Sequence, residues 1–501
     1  MISFLIALVA LVAGYFLYGR FVCHVFGPDP NRQTPCYTLQ DGVDYIPMPT
    51  WKVYMIQFLN IAGVGPIFGA IMGAQFGTAC YLWIVLGTIF AGATHDYLSA
   101  MISLRQDGAS LPEIIGTYLG KNVRALMSVF SVLLMILVGA VFTSSPANIL
   151  GALTSDFFSA DMQWLNGYIW IALIFIYYIV ATLCPIDKVI GRIYPFFAFC
   201  LIFMAVGIMG YIIVAQPALD EWWDEGKFVN SAWMEQGHLA YLFPMMFISI
   251  ACGAISGFHA TQSPLMARCM KNEKMGRVCF YGAMVTEGIV ALVWAAAANY
   301  FFNENGLVNM LTGKGYDGGT VATLISKDWL GTFGGILALI GIAVAPISSG
   351  DTALRSGRLI IADFLHVEQK SMGKRLLISI PMFAVTFAIL IWSMTDANGF
   401  GILWRYFGWC NQLLSVFTLW AVTVYLIRNK QGWWFLVTFF PAMFMTCVCT
   451  TFICILDTGG LNLPYSVGLG CGLAFAIVFG VMALRYHAQV ERQRGFTGTK
   501  E

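Results

Sequence analysis

Residues 342–365 read IAVAPISSGDTALRSGRLIIADFL. An apolar stretch meets Pro346 and then carries two hydroxyls (Ser348, Ser349), a carboxylate (Asp351) and two guanidiniums (Arg355, Arg358) before hydrophobic residues resume. Other ionisable groups also sit inside apolar runs. Glu287 lies in GAMVTEGIVALVW, deep enough by position to carry a coupling proton. His259 lies in a stretch rich in Gly and Pro. It would bind a substrate carboxylate or titrate near neutral pH, unless it is a satisfied structural histidine. His95 and Asp96 sit beside Gly92. Asp96 is a further proton-coupling candidate, and the plainer reading of the pair is a bridge between helices. Intramembrane ionisable residues mark ion and substrate pathways, so the value of these groups depends on whether the runs around them span a membrane.

Composition answers that. Of 501 residues, 59% are hydrophobic and only 11% charged, with mean hydropathy +0.75. Soluble domains carry about 25% charged residues. A bilayer core takes about 20 apolar residues per helix, and such runs fill this chain. It reads as an all-α polytopic membrane protein, and a net charge of +1 suggests no nucleic-acid partner. Thirteen spans are expected, at 2–22, 52–76, 77–104, 124–154, 165–184, 190–215, 240–268, 276–303, 330–362, 374–395, 398–427, 432–456 and 464–487. The first run has no basic leader and reads as a retained span rather than a signal peptide. With the N-terminus outside, alternate connections and the C-terminal tail collect 23 of the 27 Lys and Arg residues, as cytoplasmic loops do. Only Lys227, Lys314, Lys327 and Arg405 fall on the other side. Arg405 would attract an anion or, more plainly, snorkel to the interface. The acidic, Trp-rich segment 216–239 becomes an external loop. The 13 cysteines are scattered and read as inert buried thiols rather than metal ligands.

Two spans depart from ordinary helices. Residues 59–76, LNIAGVGPIFGAIMGAQF, and 248–266, ISIACGAISGFHATQSPLM, both gather Gly and Pro. Small residues also serve close helix packing. Clusters at matching places in two halves point instead to paired discontinuous helices around a transporter's midplane site, with Gly63, Gly65, Gly257 and His259 near the substrate. A second echo, AVFTSSPANIL at 140–150 and AVAPISSGDTAL at 343–354, falls in the third span of each half. Five spans per half force opposite orientations, hence a five-plus-five inverted repeat. The expected organisation is an extra N-terminal helix (1–22), a first repeat (52–215), an inverted second repeat (240–427), two C-terminal helices (432–487) and a cytoplasmic tail (488–501).

FGPDPNRQTP (26–35), IAGVGPIFG (61–69), DYLSAMISLRQDGASL (96–111), GRIYP (191–195), IACGAISGFHA (250–260) and FGWCNQLLSVFTLW (407–420) occur in order along nearly the whole chain. Together they resemble the carbon starvation protein (CstA) family. The resemblance implies a bacterial inner-membrane importer of short peptides or pyruvate-like carboxylates, driven by H⁺ or Na⁺, with a leucine-transporter-type core. It also implies a cation site between the first core helix and the eighth. There Ser348 and Ser349 would be ligands with the Ala345 carbonyl, freed by a break at Pro346, and carbonyls around Ala62 to Gly65. Na⁺ is the ion such an oxygen set would hold, and no organic cofactor is implied. Asp351 would add charge, carry the coupling proton, or pair with Arg355. In the alternative, the serines bond only their own helix. Two serines stand where the family suggests threonines, and TQSPLMARC follows GFHA where peptide users have a Ser-rich stretch, so the substrate stays open. GPDPNRQTP has turn composition and reads as a cap on adjoining helices. No P-loop is present. A channel would need a carbonyl filter or charged ring and a membrane enzyme a nucleophile–base pair; His95–Asp96 is the one local candidate.

Overall fold

The computed structural model describes every residue except 184–189, 230–240, 306–317, 370, 397–398, 458 and 499–501. Lys188, Lys314, Lys370 and Lys500 of the charge count, and residues 230–239 of the Trp-rich loop, lie outside the described residues. The chain is helical, with no β-strand among the described residues. In order, its helices are α1 (Ile2–Phe26), α2a and α2b (Thr50–Ile61 and Gly65–Ala74), α3 (79–105), α4 (Leu111–Leu119), α5 (Lys121–Leu153), α6 (Gln163–Leu183), α7 (Ile190–Ala215), α8a and α8b (Leu242–Ser249 and Gly257–Ala267), α9 (277–305), α10 (Gly318–Leu365), α11 (Met372–Thr395), α12 (Gly399–Asn429), α13 (Leu436–Ile455) and α14 (Tyr465–Gly498). Ten of these are long and apolar enough to cross a membrane, eleven with the bent pair α2a–α2b. Helix α3, which carries His95 and Asp96, and the broken pair α8a–α8b occupy the other two places of the expected thirteen.

Both Gly/Pro clusters break their helices. The axes of α2a and α2b diverge by 53° across residues 62–64. Pro66 follows Gly65 at the start of α2b, the position where a missing N–H costs nothing. In the second break, residues 250–256 leave the helix and Gly253 has φ +91°, a conformation open to glycine. Helix α8b then restarts from Ser256, whose backbone is extended.

Helix α10 corrects one expectation. Pro346 does not break it; helical backbone runs from beyond Gly331 to Leu365. The interruption is Gly331 (φ +65°), and the helical piece before it was not expected. A proline frees the carbonyl four residues back, here that of Ile342, whereas the Ala345 carbonyl accepts the Ser348 hydroxyl at 2.7 Å. Helix α5 repeats the design. Pro146 lies within it, and the carbonyl it leaves without an amide, that of Phe142, accepts the Tyr178 hydroxyl from α6 at 2.7 Å. That hydroxyl also lies 3.4 Å from the Pro346 carbonyl. The two serine-containing echoes thus face one another across a shared tyrosine.

The loop 27–49 packs over one end of this core. The Met48 amide donates to the Cys269 carbonyl at 3.0 Å, and the Cys36 thiol donates to the Met270 carbonyl at 3.1 Å. Arg105 from α3 binds Glu273, at 3.0 and 2.9 Å, and the Gly27 carbonyl. The segment does cap adjoining helix ends, and it brings the acidic side chain of Asp44 beneath them.

Candidate substrate cleft and proton relay

A small cleft lies where the two broken helices meet α12. Its walls are Gly65, Gly69, Cys252, Trp404, Phe407 and Gly408, with Ile248 and Ala251 beside them, and its empty volume is about 230 Å³. Gly65 is there because nothing larger fits: a Cβ at that position would occupy the space of the Cys252 side chain. Gly63 sits elsewhere. A Cβ on it would come within 2.7 Å of the Phe142 ring and 3.1 Å of the Ser349 hydroxyl. Gly257 is tied to α12, where a Cβ would meet the Asn411 carbonyl and, at 2.7 Å, Leu414.

Asn411 explains that close approach. Its Oδ1 accepts the Phe258 amide at 2.7 Å and the Ser256 hydroxyl at 2.9 Å. The first turn of α8b, whose early amides lack intrahelical partners, is therefore capped from another helix. The Asn411 amide also reaches the Cys252 sulfur at 3.7 Å. In the sequence, the signal for Asn411 is the Asn411–Gln412 amide pair inside the apolar run FGWCNQLL.

His259, Asp96 and Glu287 come together from α8b, α3 and α9, and all are fully buried. Asp96 Oδ1 lies 2.8 Å from His95 Nδ1, and Oδ2 lies 2.8 Å from His259 Nδ1. With the carboxylate as acceptor, both rings carry hydrogen on Nδ1, an assignment that follows from the network. His259 Nε2 then faces Glu287 Oε2 at 3.4 Å. No well-formed hydrogen bond reaches either Glu287 oxygen among the described residues. A neutral imidazole lone pair against a carboxylate in a dry interior is repulsive, so one proton belongs to the pair. Cys252 Sγ completes a cluster with His259 and Glu287 whose donor atoms lie within 4.8 Å of one another. Cys252 thereby belongs both to the cleft and to the ionisable cluster. Sequence reasoning singled out the three ionisable members separately. Their meeting could not be read from it, because three helices far apart in the chain supply them.

The polar cluster of α10, Ser348 to Arg358, divides into two parts. Ser349 reaches across to α2a and donates to the Leu59 carbonyl at 2.9 Å, while Ser348 bonds back to Ala345. Both hydroxyls thus spend their protons on backbone oxygens, Ser349 beside the break that holds Ala62. Asp351 Oδ2 accepts the Tyr194 hydroxyl from α7 at 2.9 Å, and that hydroxyl lies 2.7 Å from the Ser348 carbonyl. Arg355 turns to the loop: its Nη1 is 3.4 Å from Asp44 Oδ1, and its Nη2 donates to the Ala181 carbonyl. Arg358 Nη2 lies 4.0 Å from Asp44 Oδ2. Burial alone would raise the Asp44 carboxyl. The guanidiniums of Arg355, Arg358, Arg268 and Arg375 outweigh it and hold that carboxyl below its ordinary range. Away from this sealed end, near the start of α10, an open pocket is lined by Phe68, Ser145, Asn148 and Thr323.

The family model of the carbon starvation protein CstA matches residues 1–164, 149–327 and 317–452. A chain of Haemophilus influenzae named an uncharacterized membrane protein is 42% identical over 342 residues, 61% of this chain and 92% of its own. The peptide transporter CstA of Escherichia coli is 24% identical over 87% of this chain and 78% of its own. The pyruvate/proton symporter BtsT of the same organism is 26% identical over 88% and 79%. The crystal structure of MhsT in complex with L-phenylalanine superposes with a TM-score of 0.56 at 13% identity, covering 87% of this chain and 98% of that one. That likeness concerns the fold and fits the inverted-repeat core. The named relatives are transporters, and this chain is a secondary transporter, neither channel nor enzyme. From its first helix to α13, the chain belongs to the carbon starvation protein CstA family.

Proposed function

We propose that the chain is a proton-coupled importer of a small carboxylate of the pyruvate type in a bacterial inner membrane. The observation that carries this reading is the fully buried His259–Glu287 pair, 3.4 Å apart and adjoining the cleft through Cys252. Binding and release of a proton by this pair, with Asp96 fixing the His259 ring, would be coupled to occupancy of the cleft next to it. The pyruvate/proton symporter among the relatives supports a small carboxylate, the substrate for which the closely packed cleft has to widen least. Half-helix N-termini present the positive end of the helix dipole to anionic groups, and Gly65 begins one of them. Short peptides are the second reading, supported by the relatives named peptide transporters; they require the cleft to widen. Ser348 and Ser349, with the carbonyls of Ala62, Gly65 and Ala345, form in this reading a sodium-free vestige of an ion site. The charge distribution supports an orientation with the N-terminus outside and the loop 27–49 and the C-terminus in the cytoplasm.

The test is uptake of labelled pyruvate and of a labelled dipeptide into proteoliposomes, with proton and sodium gradients imposed separately. Pyruvate should accumulate on a proton gradient alone. Glu287→Gln should abolish accumulation and retain exchange of substrate across the membrane. Accumulation driven by sodium without a proton gradient, or full accumulation by Glu287→Gln, would refute the proposal.

A further inference from the structure

Cys252 lies in the non-helical segment 250–256, its sulfur near the Ser256 hydroxyl (3.5 Å) and the Asn411 amide (3.7 Å). His259 Nε2 and both Glu287 oxygens lack well-formed hydrogen bonds among the described residues, and both residues are fully buried. Three groups of different chemistry therefore converge on one spot: a thiol, an imidazole nitrogen and a carboxyl group, which become three donors once their protons leave. Behind them, Asp96 holds the opposite nitrogen of the same imidazole at 2.8 Å, and His95 in turn holds Asp96. A carboxylate that fixes the far nitrogen of a histidine is the usual outer support of a metal-binding imidazole.

We infer that this cluster binds one soft divalent cation, Zn²⁺ or Cd²⁺, through Cys252 Sγ, His259 Nε2 and a Glu287 oxygen. Zinc bonds of about 2.0 to 2.3 Å in tetrahedral geometry put neighbouring donors about 3.3 to 3.8 Å apart. The His259–Glu287 separation of 3.4 Å already meets that, and no donor pair exceeds 4.8 Å. The charge also balances. The ion enters with charge +2 and displaces two protons, one from the Cys252 thiol and one shared by His259 and Glu287, so the buried site keeps its net charge. Hard cations such as Na⁺ are disfavoured by the sulfur. Cys252 on the wall of the cleft supplies the entry route. Three protein ligands leave a fourth position for water. Metal binding stands on the donor geometry alone. Its consequence, that zinc blocks transport by taking the place of the coupling proton, rests on the proton-relay reading above.

The experiment uses the full chain purified in detergent and titrated with Zn²⁺, and separately with Cd²⁺. One ion per chain should bind, with release of about two protons near neutral pH and, for Cd²⁺, a thiolate-to-metal absorption band. Cys252→Ser should lose the band and weaken binding at least tenfold, and Asp96→Asn should weaken it about 10- to 100-fold. Cys279→Ser, on a cysteine outside the cluster, should bind as wild type. If Cys252→Ser does not fold, His259→Gln gives the same decision: it keeps the thiol and should still lose high-affinity binding. Absence of one-to-one binding in the wild type, or a band that persists in Cys252→Ser, overturns the site. Uptake separates the two readings. Stoichiometric zinc binding without inhibition of proton-driven uptake would remove the relay and keep the metal site. Proton coupling lost in Glu287→Gln with no zinc binding by wild type would do the reverse.

Discussion

Neutralising Asp44 should open the end of the protein that the loop 27–49 closes. Its carboxylate is 5% exposed and faces two guanidiniums that are fully buried, Arg355 at 3.4 Å and Arg358 at 4.0 Å. Asp44→Asn keeps the shape and removes the charge, leaving two cations with reduced compensation. Breaking a buried pair from one side costs about 3–5 kcal/mol. If about 3 kcal/mol of that holds the loop down, the open population rises about 150-fold. A native thiol reports it: Cys269 is fully buried, and its sulfur lies 3.7 Å from the Asp44 carbonyl. Alkylation of Cys269, read peptide by peptide by mass spectrometry, should accelerate on the order of 100-fold in Asp44→Asn. Adding Arg355→Gln should recover part of that, since it removes one of the two guanidiniums that faced Asp44. The pH dependence has a fixed sign. The folded Asp44 carboxyl titrates below its ordinary value, so its contribution is complete above about pH 3.9 and is lost as pH falls through the folded value. Wild type should therefore loosen in acid toward the variant, and the variant should lack that part of the transition. Unchanged Cys269 reactivity and an unchanged acid transition would refute the lock.

Gly65→Leu should abolish uptake while the protein is still inserted, because its side chain has to displace Cys252 from the cleft wall; substrate binding by calorimetry and uptake by well-expressed protein check this. The Ser348→Ala, Ser349→Ala double variant should leave uptake unchanged at every sodium concentration, and a sodium requirement that rises about 5- to 150-fold for each serine removed, the equivalent of 1–3 kcal/mol per lost ligand contact, would restore the cation site. Asn411→Ala leaves the Phe258 amide and the Ser256 hydroxyl without their acceptor and should cost about 1–3 kcal/mol in unfolding, measured by thermal denaturation in detergent, whereas Asn411→Asp should retain most of it.

The breaks in α2 and α8 were legible because Gly and Pro act locally: Gly253 and Pro66 impose their backbone choices whatever surrounds them. Pro346 shows the limit of the same reasoning. A proline inside a helix is tolerated where neighbouring helices satisfy the freed carbonyls. Tyr178, distant in sequence, does this at Pro146, and nothing in the run around Pro346 distinguishes the tolerated case from the broken one. The ionisable residues were visible one by one, since each is costly in an apolar run. Their partners were not. Arg355, one turn after Asp351, was a reasonable partner for it by helix geometry, yet it turns to Asp44, and Asp351 takes Tyr194 instead. Asp44 itself lies in a polar loop, where an acidic residue carries no signal. Gly257 was read as a ligand-side glycine when its demand for space comes from Asn411 on α12.

The lock at Asp44 also bears on how the chain is made. Asp44 and Arg355 are 311 residues apart, and Cys36 and Met270 are 234 apart. Segments leave the ribosome in order, so the loop 27–49 emerges early and has no partner in α10 until most of the helices are in the bilayer. Its contacts with Arg105 and with Cys269 and Met270 can form before that. The Asp44 side of this face therefore closes late in assembly, once α10 has joined helices that the loop already touches.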